Sequence, residues 1–212
     1  MPYRTKKTVK KTYRKKSFKV PKSTKRYVKK AIQKEIETKY IDYLGSVPQA
    51  KTPMNIIQFT NIPQGITDQN RIGDVVTLRG IRINLTIDGT NPTDIYRVIF
   101  FQWKPNTSLV TPTGATLLAD VITVPWLSPY FHDLQSQVII LWDKTFTTNL
   151  VSRPQLIYKK KIKIKWAKKK ISFLAGSSFL STNAIFMATV SDSVTGNNPT
   201  LQYYIRVYYD DA

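Results

Sequence analysis

The chain has 212 residues, enough for one domain or one domain with a tail, and its 42% hydrophobic and 12% aromatic composition supplies a core and excludes wholesale disorder. With 33 Lys+Arg against 13 Asp+Glu the formal charge is +20, far above the magnitude of roughly 2 to 8 that solubility needs, so a polyanionic partner is implied: nucleic acid, an anionic membrane or a sulfated glycan. Zero cysteines exclude disulfides and thiolate metal sites, and the positive N-terminus has no apolar run behind it, so synthesis in the cytosol without membrane insertion is expected.

On that expectation the sequons Asn84-Leu85-Thr86 and Asn106-Thr107-Ser108 are chance matches. The charge is also unevenly spread. Of the 33 Lys+Arg, 14 lie in residues 1 to 30 and 8 between Lys159 and Lys170, with no acid in either stretch, which leaves 11 against 13 acidic groups elsewhere. That is the plan of a tail on a nearly neutral body. The expected organisation is a basic arm over residues 1–23, a short amphipathic helix and linker over 24–44, and a folded domain over 45–212.

In the arm, Arg4, Lys6, Lys7, Lys10, Lys11, Arg14, Lys15, Lys16, Lys19, Lys22, Lys25 and Arg26 are interleaved with Tyr13 and Phe18. Cations neutralise phosphates while rings stack on unpaired bases, so this pattern points to single-stranded nucleic acid. A nuclear import signal, read by a host import receptor, is compatible with the same residues.

From Ser23 the period turns helical: Val28, Ile32, Ile36 and Tyr40 recur at i, i+4, and Glu35 precedes Lys39 in the favourable orientation. Ser23 or Thr24 is the candidate cap. The apolar stripe is narrow and suits docking on a domain edge or a second copy.

After Gly45 the sequence reads as strands and loops. Alternation is clearest at Ile81, Ile83, Leu85 and Ile87, with Arg82, Asn84 and Thr86 on the other face. Further runs are Ile56–Ile62, Tyr96–Trp103, Val138–Thr147, Ala184–Val190 and Leu201–Tyr209, with an eighth, weak strand at Leu117–Val124 whose first half equally suits a helical turn. Ile162, Ile164 and Trp166 alternate with Lys161, Lys163 and Lys165, so the lysines are expected to project from one face. Together Lys159, Lys160, Lys161, Lys163, Lys165, Lys168, Lys169 and Lys170 form a second candidate polyanion site, against the plainer role of a solvated face that deters edge pairing. Seven or eight strands with long loops and no helices between them predict an all-β fold, a single eight-stranded antiparallel jelly roll sandwich.

Catalytic and metal chemistry find little support. His132 is the single histidine, nucleotide-binding glycine loops are absent, and Asp68, Asn70 and Asp74 surround a turn where Asx capping is favoured over calcium binding. No enzyme activity, metal or cofactor is expected.

The run Gly65-Ile66-Thr67-Asp68-Gln69-Asn70-Arg71-Ile72-Gly73-Asp74-Val75, an alternating strand, and Tyr96-Arg97-Val98-Ile99-Phe100-Phe101-Gln102-Trp103 together resemble capsid proteins of small circular single-stranded DNA viruses that encode a replication initiator, the circovirus-like group. Ile36-Glu37-Thr38-Lys39-Tyr40, Leu141-Trp142-Asp143-Lys144, Asn183-Ala184-Ile185-Phe186, Val190-Ser191-Asp192-Ser193 and Arg206-Val207-Tyr208-Tyr209-Asp210 extend the resemblance along nearly the whole chain. The chain is also similar to capsids of satellite necrosis viruses, which carry RNA, so DNA or RNA stays open.

The resemblance implies a single jelly roll, a virion shell of about sixty copies (T=1) and single-stranded nucleic acid within, assembled in the host nucleus and cytoplasm. Sixty chains of +20 bring about 1,200 positive charges, enough for roughly as many phosphates. Candidate assembly contacts are Trp126, Tyr130 and Phe131, beside prolines in a long loop, and Val28, Ile32 and Ile36 on the helix. For Trp126 the competing role is to cap the domain's own core. The rival function is a cellular nucleic-acid-binding β protein of architectural or ribosomal type, which predicts a monomer or small oligomer.

Overall fold

A computed structural model of the chain describes residues 20–35, 38–107, 109–120, 122–164, 170–175, 180–193 and 198–211. Two compact units divide at Ile36 and Glu37. The first contributes one described element, helix α1 (Lys22–Glu35). It begins with Lys25 N–H donating to the Pro21 carbonyl at 3.1 Å, so Ser23 and Thr24 lie inside the first turn and neither is the cap. No described helix is long and apolar enough to cross a membrane.

The expected helix over 24–40 is corrected at its C-terminal end, because Thr38–Pro48 forms strand β1. Tyr40, Ile41 and Tyr43 are strand-prone residues, and eleven positions from Thr38 to Pro48 pair with the C-terminal strand, a ladder that outweighs the weak i, i+4 series. Lys39, on this strand, pairs with Asp211 at 2.8 Å and donates to the Asn70 carbonyl at 3.0 Å. The folded unit therefore starts several residues before the expected boundary at 45.

The remaining strands are β2 (Asn55–Gln58), β3 (Val75–Asp88), β4 (Asp94–Trp103), β5 (Val138–Thr148), β6 (Gln155–Lys163), β7 (Lys170–Phe173), β8 (Leu180–Thr182), β9 (Ala184–Ser191) and β10 (Thr200–Asp211), with a short helix α2 (Gly114–Leu117) between β4 and β5. One sheet runs β1-β10-β3 with β6 and β7 sharing the far side of β3 and β8 beyond β7; the other runs β2-β9-β4-β5. All of these pairs are antiparallel. The long pairs nest: β1 with β10, β2 with β9, β3 with β6, β4 with β5. Nested antiparallel pairs rolled into two sheets are a jelly roll, with β7 and β8 as short additions.

The core lies between the sheets. Ile81, Ile83, Leu85 and Ile87 on β3 are fully buried, as their alternation requires, and each contributes about 1.5 to 3 kcal/mol. Phe59 stands between Phe100 and Tyr203, at 6.0 and 5.5 Å between ring centroids, and Trp142 stacks on Tyr158 at 5.3 Å, tying β5 to β6. Asn183, with φ 64°, turns the chain from β8 in one sheet to β9 in the other, a conformation asparagine tolerates.

Of the two readings of 117–124, the helical turn holds at its start, where Leu117 ends α2, and among the described residues only an isolated antiparallel bridge from Leu118 to Tyr130 is β structure. Thr113 and Thr116 cap α2 reciprocally, Leu117 and Leu118 are buried, and the Asp120 carboxylate accepts from the Ile122, Thr123 and Val124 N–H groups. Local side chains thus satisfy the backbone donors that a ladder would have used. The eighth strand of the four nested pairs is β1 instead.

The connection from Lys104 to Gln137 covers the outer face of the second sheet. Trp103 Nε1 donates to the Val110 carbonyl at 3.0 Å, and Arg97 reaches the Ser128 carbonyl. Arg97 also grips Asp143 through two hydrogen bonds of 3.1 and 2.7 Å. The Tyr130 hydroxyl donates to the same carboxylate, and its ring lies 5.2 Å from the guanidinium. Burial disfavours the Arg97 charge, but the hydrogen bonds and negative charge of Asp143, with Tyr130, together outweigh it and raise the guanidinium pKa.

Candidate nucleic-acid interface

On the outer face of the first sheet, β6 presents a row of exposed cations. Along β6, Leu156 and Ile162 are buried, while Lys159, Lys161 and Lys163 share the opposite parity and are exposed. Ile164 is buried with Ile162, so the expected direction of the lysine strand holds for its described part. Lys160 has the inward parity but is exposed on this edge strand, which pairs with β3 alone. Lys165, Trp166, Lys168 and Lys169 lie outside the described residues, and Lys170 is exposed at the start of β7.

Register brings in cations that are distant in sequence. Lys161 pairs with Arg82 and Lys159 with Asn84, and on the other side of β3 Arg82 faces Arg206 and Asn84 faces Tyr204. Like charges opposite one another on a sheet are destabilising unless something neutralises them. Arg206 is neutralised internally: its Nε and Nη2 donate to Asp42 at 2.7 Å each, and its guanidinium lies 4.2 Å from the Tyr40 ring centroid. The hydrogen bonds from Arg206 hold the Asp42 carboxyl below its usual range, against a smaller opposing effect of burial. Arg82, Lys159, Lys160, Lys161 and Lys163 hold no carboxylate among the described residues.

Between β3, β6 and β10 this face sinks into an open depression of about 240 Å³ lined by Arg82, Asn84, Lys159, Lys160, Lys161 and Tyr208. Tyr208 is half-buried and pairs with Gly80, where an added Cβ would stand 2.9 Å from the Ile162 carbonyl oxygen. Glycine thus permits β6 to approach β3 and leaves no side chain beside the tyrosine ring. The Asn84 side-chain carbonyl is buried and has no hydrogen-bond partner. Chemically the arrangement offers cations for phosphate, one aromatic ring for stacking and an amide.

The arm residues Arg4 to Lys19, with Tyr13 and Phe18, lie outside the described residues. Lys22, Lys25 and Arg26 are exposed on α1, as are Tyr27 and Val28; Ile32 is on α1 and Ile36 lies outside the described residues. Among the loop candidates, Phe131 is 44% exposed, Tyr130 is engaged by Arg97 and Asp143, and Trp126 is half-exposed with Lys51 Nζ 5.5 Å from its ring centroid. Sequence reading did not single out Arg82, Asn84 or Tyr208 for this site, nor the exposed loop residues Ile66, Leu109, Ile122, Leu127 and Val151. Only strand register assembles the first group; exposed apolar residues flanked by turn residues are the signal for the second. No group of three metal-ligating side chains occurs among the described residues, and His132 is exposed.

Against known proteins, residues 8–212 match the family described as Satellite tobacco necrosis virus coat protein. No curated protein matches the sequence. A solved chain of Desmodium yellow mottle tymovirus is similar at a TM-score of 0.36 and 8% identity, covering 82% of this chain and 89% of that chain.

Proposed function

Because the chain belongs to the satellite tobacco necrosis virus coat protein family, we propose that it self-assembles into a small icosahedral virion shell, about sixty copies with T=1, that packages single-stranded nucleic acid. The observation that carries this reading is the match over residues 8–212, which takes in most of the basic arm together with the jelly roll. It also displaces the rival reading of a cellular architectural or ribosomal protein.

The arm, from Arg4 to Arg26, supplies most of the neutralising charge, and the lysines of Lys159–Lys170 supply a second polyanion surface. Trp126, Tyr130, Phe131 and the helix residues Val28, Ile32 and Ile36 are the proposed assembly contacts. Ile122 and Leu127, near Trp126 in sequence, are each exposed, and large exposed apolar side chains in one loop support it as an interface.

Motifs shared with circular-genome capsids favour circular single-stranded DNA as cargo; the family match favours the RNA alternative. Digestion of extracted nucleic acid with DNase, RNase and an exonuclease decides between them. The arm is further proposed to bind a host nuclear import receptor, read out by the location of a reporter fused to it. Negative-stain microscopy of the purified full chain tests the main reading: closed particles of uniform size are expected, and soluble monomers across salt and pH conditions overturn it.

A further inference from the structure

Three of the four arginines on β3, β4 and β10 are committed to an aspartate: Arg79 to Asp210, Arg97 to Asp143 and Arg206 to Asp42. The fourth, Arg82, has no carboxylate among the described residues and faces Lys161 across the ladder. A fold that neutralises its other strand arginines and leaves this one among lysines holds a site for an external anion.

The neighbours of Arg82 narrow the anion's class. A purely electrostatic surface requires neither an aromatic ring nor an amide, yet the depression is lined by both, Tyr208 and Asn84. Its volume of about 240 Å³ is below the range of about 300 to 1,000 Å³ typical of sites for drug-sized molecules. A single base or sugar fits such a space. A duplex keeps its bases inside the stack and presents only phosphates, and it leaves Tyr208 and Asn84 unused.

We propose that the depression between β3, β6 and β10 is a binding site for one unpaired nucleotide of a single-stranded polynucleotide, with Arg82, Lys159 and Lys161 on its flanking phosphates, Tyr208 stacked on the base and Asn84 hydrogen-bonded to the base or sugar. Lys160 and Lys163 extend the charged track along β6, the direction in which the strand would run. This deepens the packaging reading and rests on it.

The test uses the full chain and a single strand carrying 5-iodouracil, crosslinked by light and mapped by peptide mass spectrometry, beside a duplex of the same sequence and heparin as competitor. The expected result is a crosslink to the β10 peptide containing Tyr208, from the single strand and not from the duplex. It should be lost in Tyr208→Ala, with the salt dependence of binding unchanged, and retained in Tyr208→Phe. Stacking of one base predicts about tenfold weaker binding at this site, whereas each of Lys159→Gln and Lys161→Gln should lower the salt slope by about 0.7.

Thermal melting of each variant separates lost binding from lost folding, and Asn84→Asp, which adds a negative charge without removing bulk, gives a second route to the same loss. Crosslinks confined to the arm while particles still protect nucleic acid would overturn the pocket and leave packaging standing. Particles that form without nucleic acid would overturn packaging itself. Heparin binding that falls in the lysine variants while single-strand binding holds would mark a sulfated-glycan surface and overturn the proposal.

Discussion

The outer faces of the two sheets treat the same chemistry in opposite ways. On the second sheet, Arg97 is nearly buried, held by Asp143, the Ser128 carbonyl and the Tyr130 ring under the connection from Lys104 to Gln137. On the first sheet, Arg82 is exposed and faces Lys161, which is exposed too. A positive charge on a strand is therefore not by itself a binding feature. What distinguishes the two is whether the chain supplies the counter-charge.

The largest expected effect breaks the covered side of this comparison. Arg97→Met leaves the Asp143 carboxylate without its counter-charge and the Ser128 carbonyl without its guanidinium donor, and removal of one member of a largely buried pair costs about 3 kcal/mol. Arg82→Met on the first sheet should change stability by no more than about 0.5 kcal/mol. Urea denaturation of the two variants beside the wild type checks the contrast; equal losses would show that Arg82 also has a structural role.

Next in size is Gly80→Ala. The added methyl group would stand 2.9 Å from the Ile162 carbonyl oxygen, which is backbone and unable to swing aside, so β6 must shift away from β3. A loss of about 1 to 3 kcal/mol is expected. The sharper readout is faster amide exchange along Gln155–Lys163, with the β4–β5 ladder unchanged. Uniform exchange across both sheets would refute the local account.

The jelly roll itself was legible because its central strands carry their pattern locally: Ile81, Ile83, Leu85 and Ile87 alternate, and all are buried. β1 was not, since Tyr40 continues a helical spacing from Ile32 and Ile36, and its identity as a strand is decided by pairing with β10 at the opposite end of the chain. The stretch at Leu117–Val124 misled in the reverse sense, because Leu117 and Leu118 are buried from a capped turn rather than a ladder, while Ile122 and Val124 are exposed. For the site, the direction of Lys161 and Lys163 follows from two-residue periodicity. Arg82, Asn84 and Tyr208 reach it only through the register of β3 with β6 and β10, which no local pattern encodes.

The smallest effect concerns Asp42, the counter-charge that keeps Arg206 out of the cationic cluster. Its folded pKa is lowered, so the stability it contributes is complete above its ordinary value of 3.8 and is lost as pH falls through the lowered folded value. The stability difference between wild type and Asp42→Asn should therefore be present at neutral pH and vanish only in strong acid. A difference that persists unchanged to the lowest pH would mean that packing, and not charge, holds this pair. Asp42→Asn should also strengthen single-strand binding modestly, because it adds one uncompensated positive charge to the face.

We propose that this coat protein encloses single-stranded nucleic acid, drawn in chiefly by its basic arm. The most direct measurement compares the full chain with a variant lacking residues 1–22: both are nuclease-treated, sedimented, and assayed for protein and protected nucleic acid. The account predicts closed particles with protected single-stranded nucleic acid for the full chain, and a folded variant whose protected nucleic acid is greatly reduced. Equal protected nucleic acid in the two preparations would contradict it.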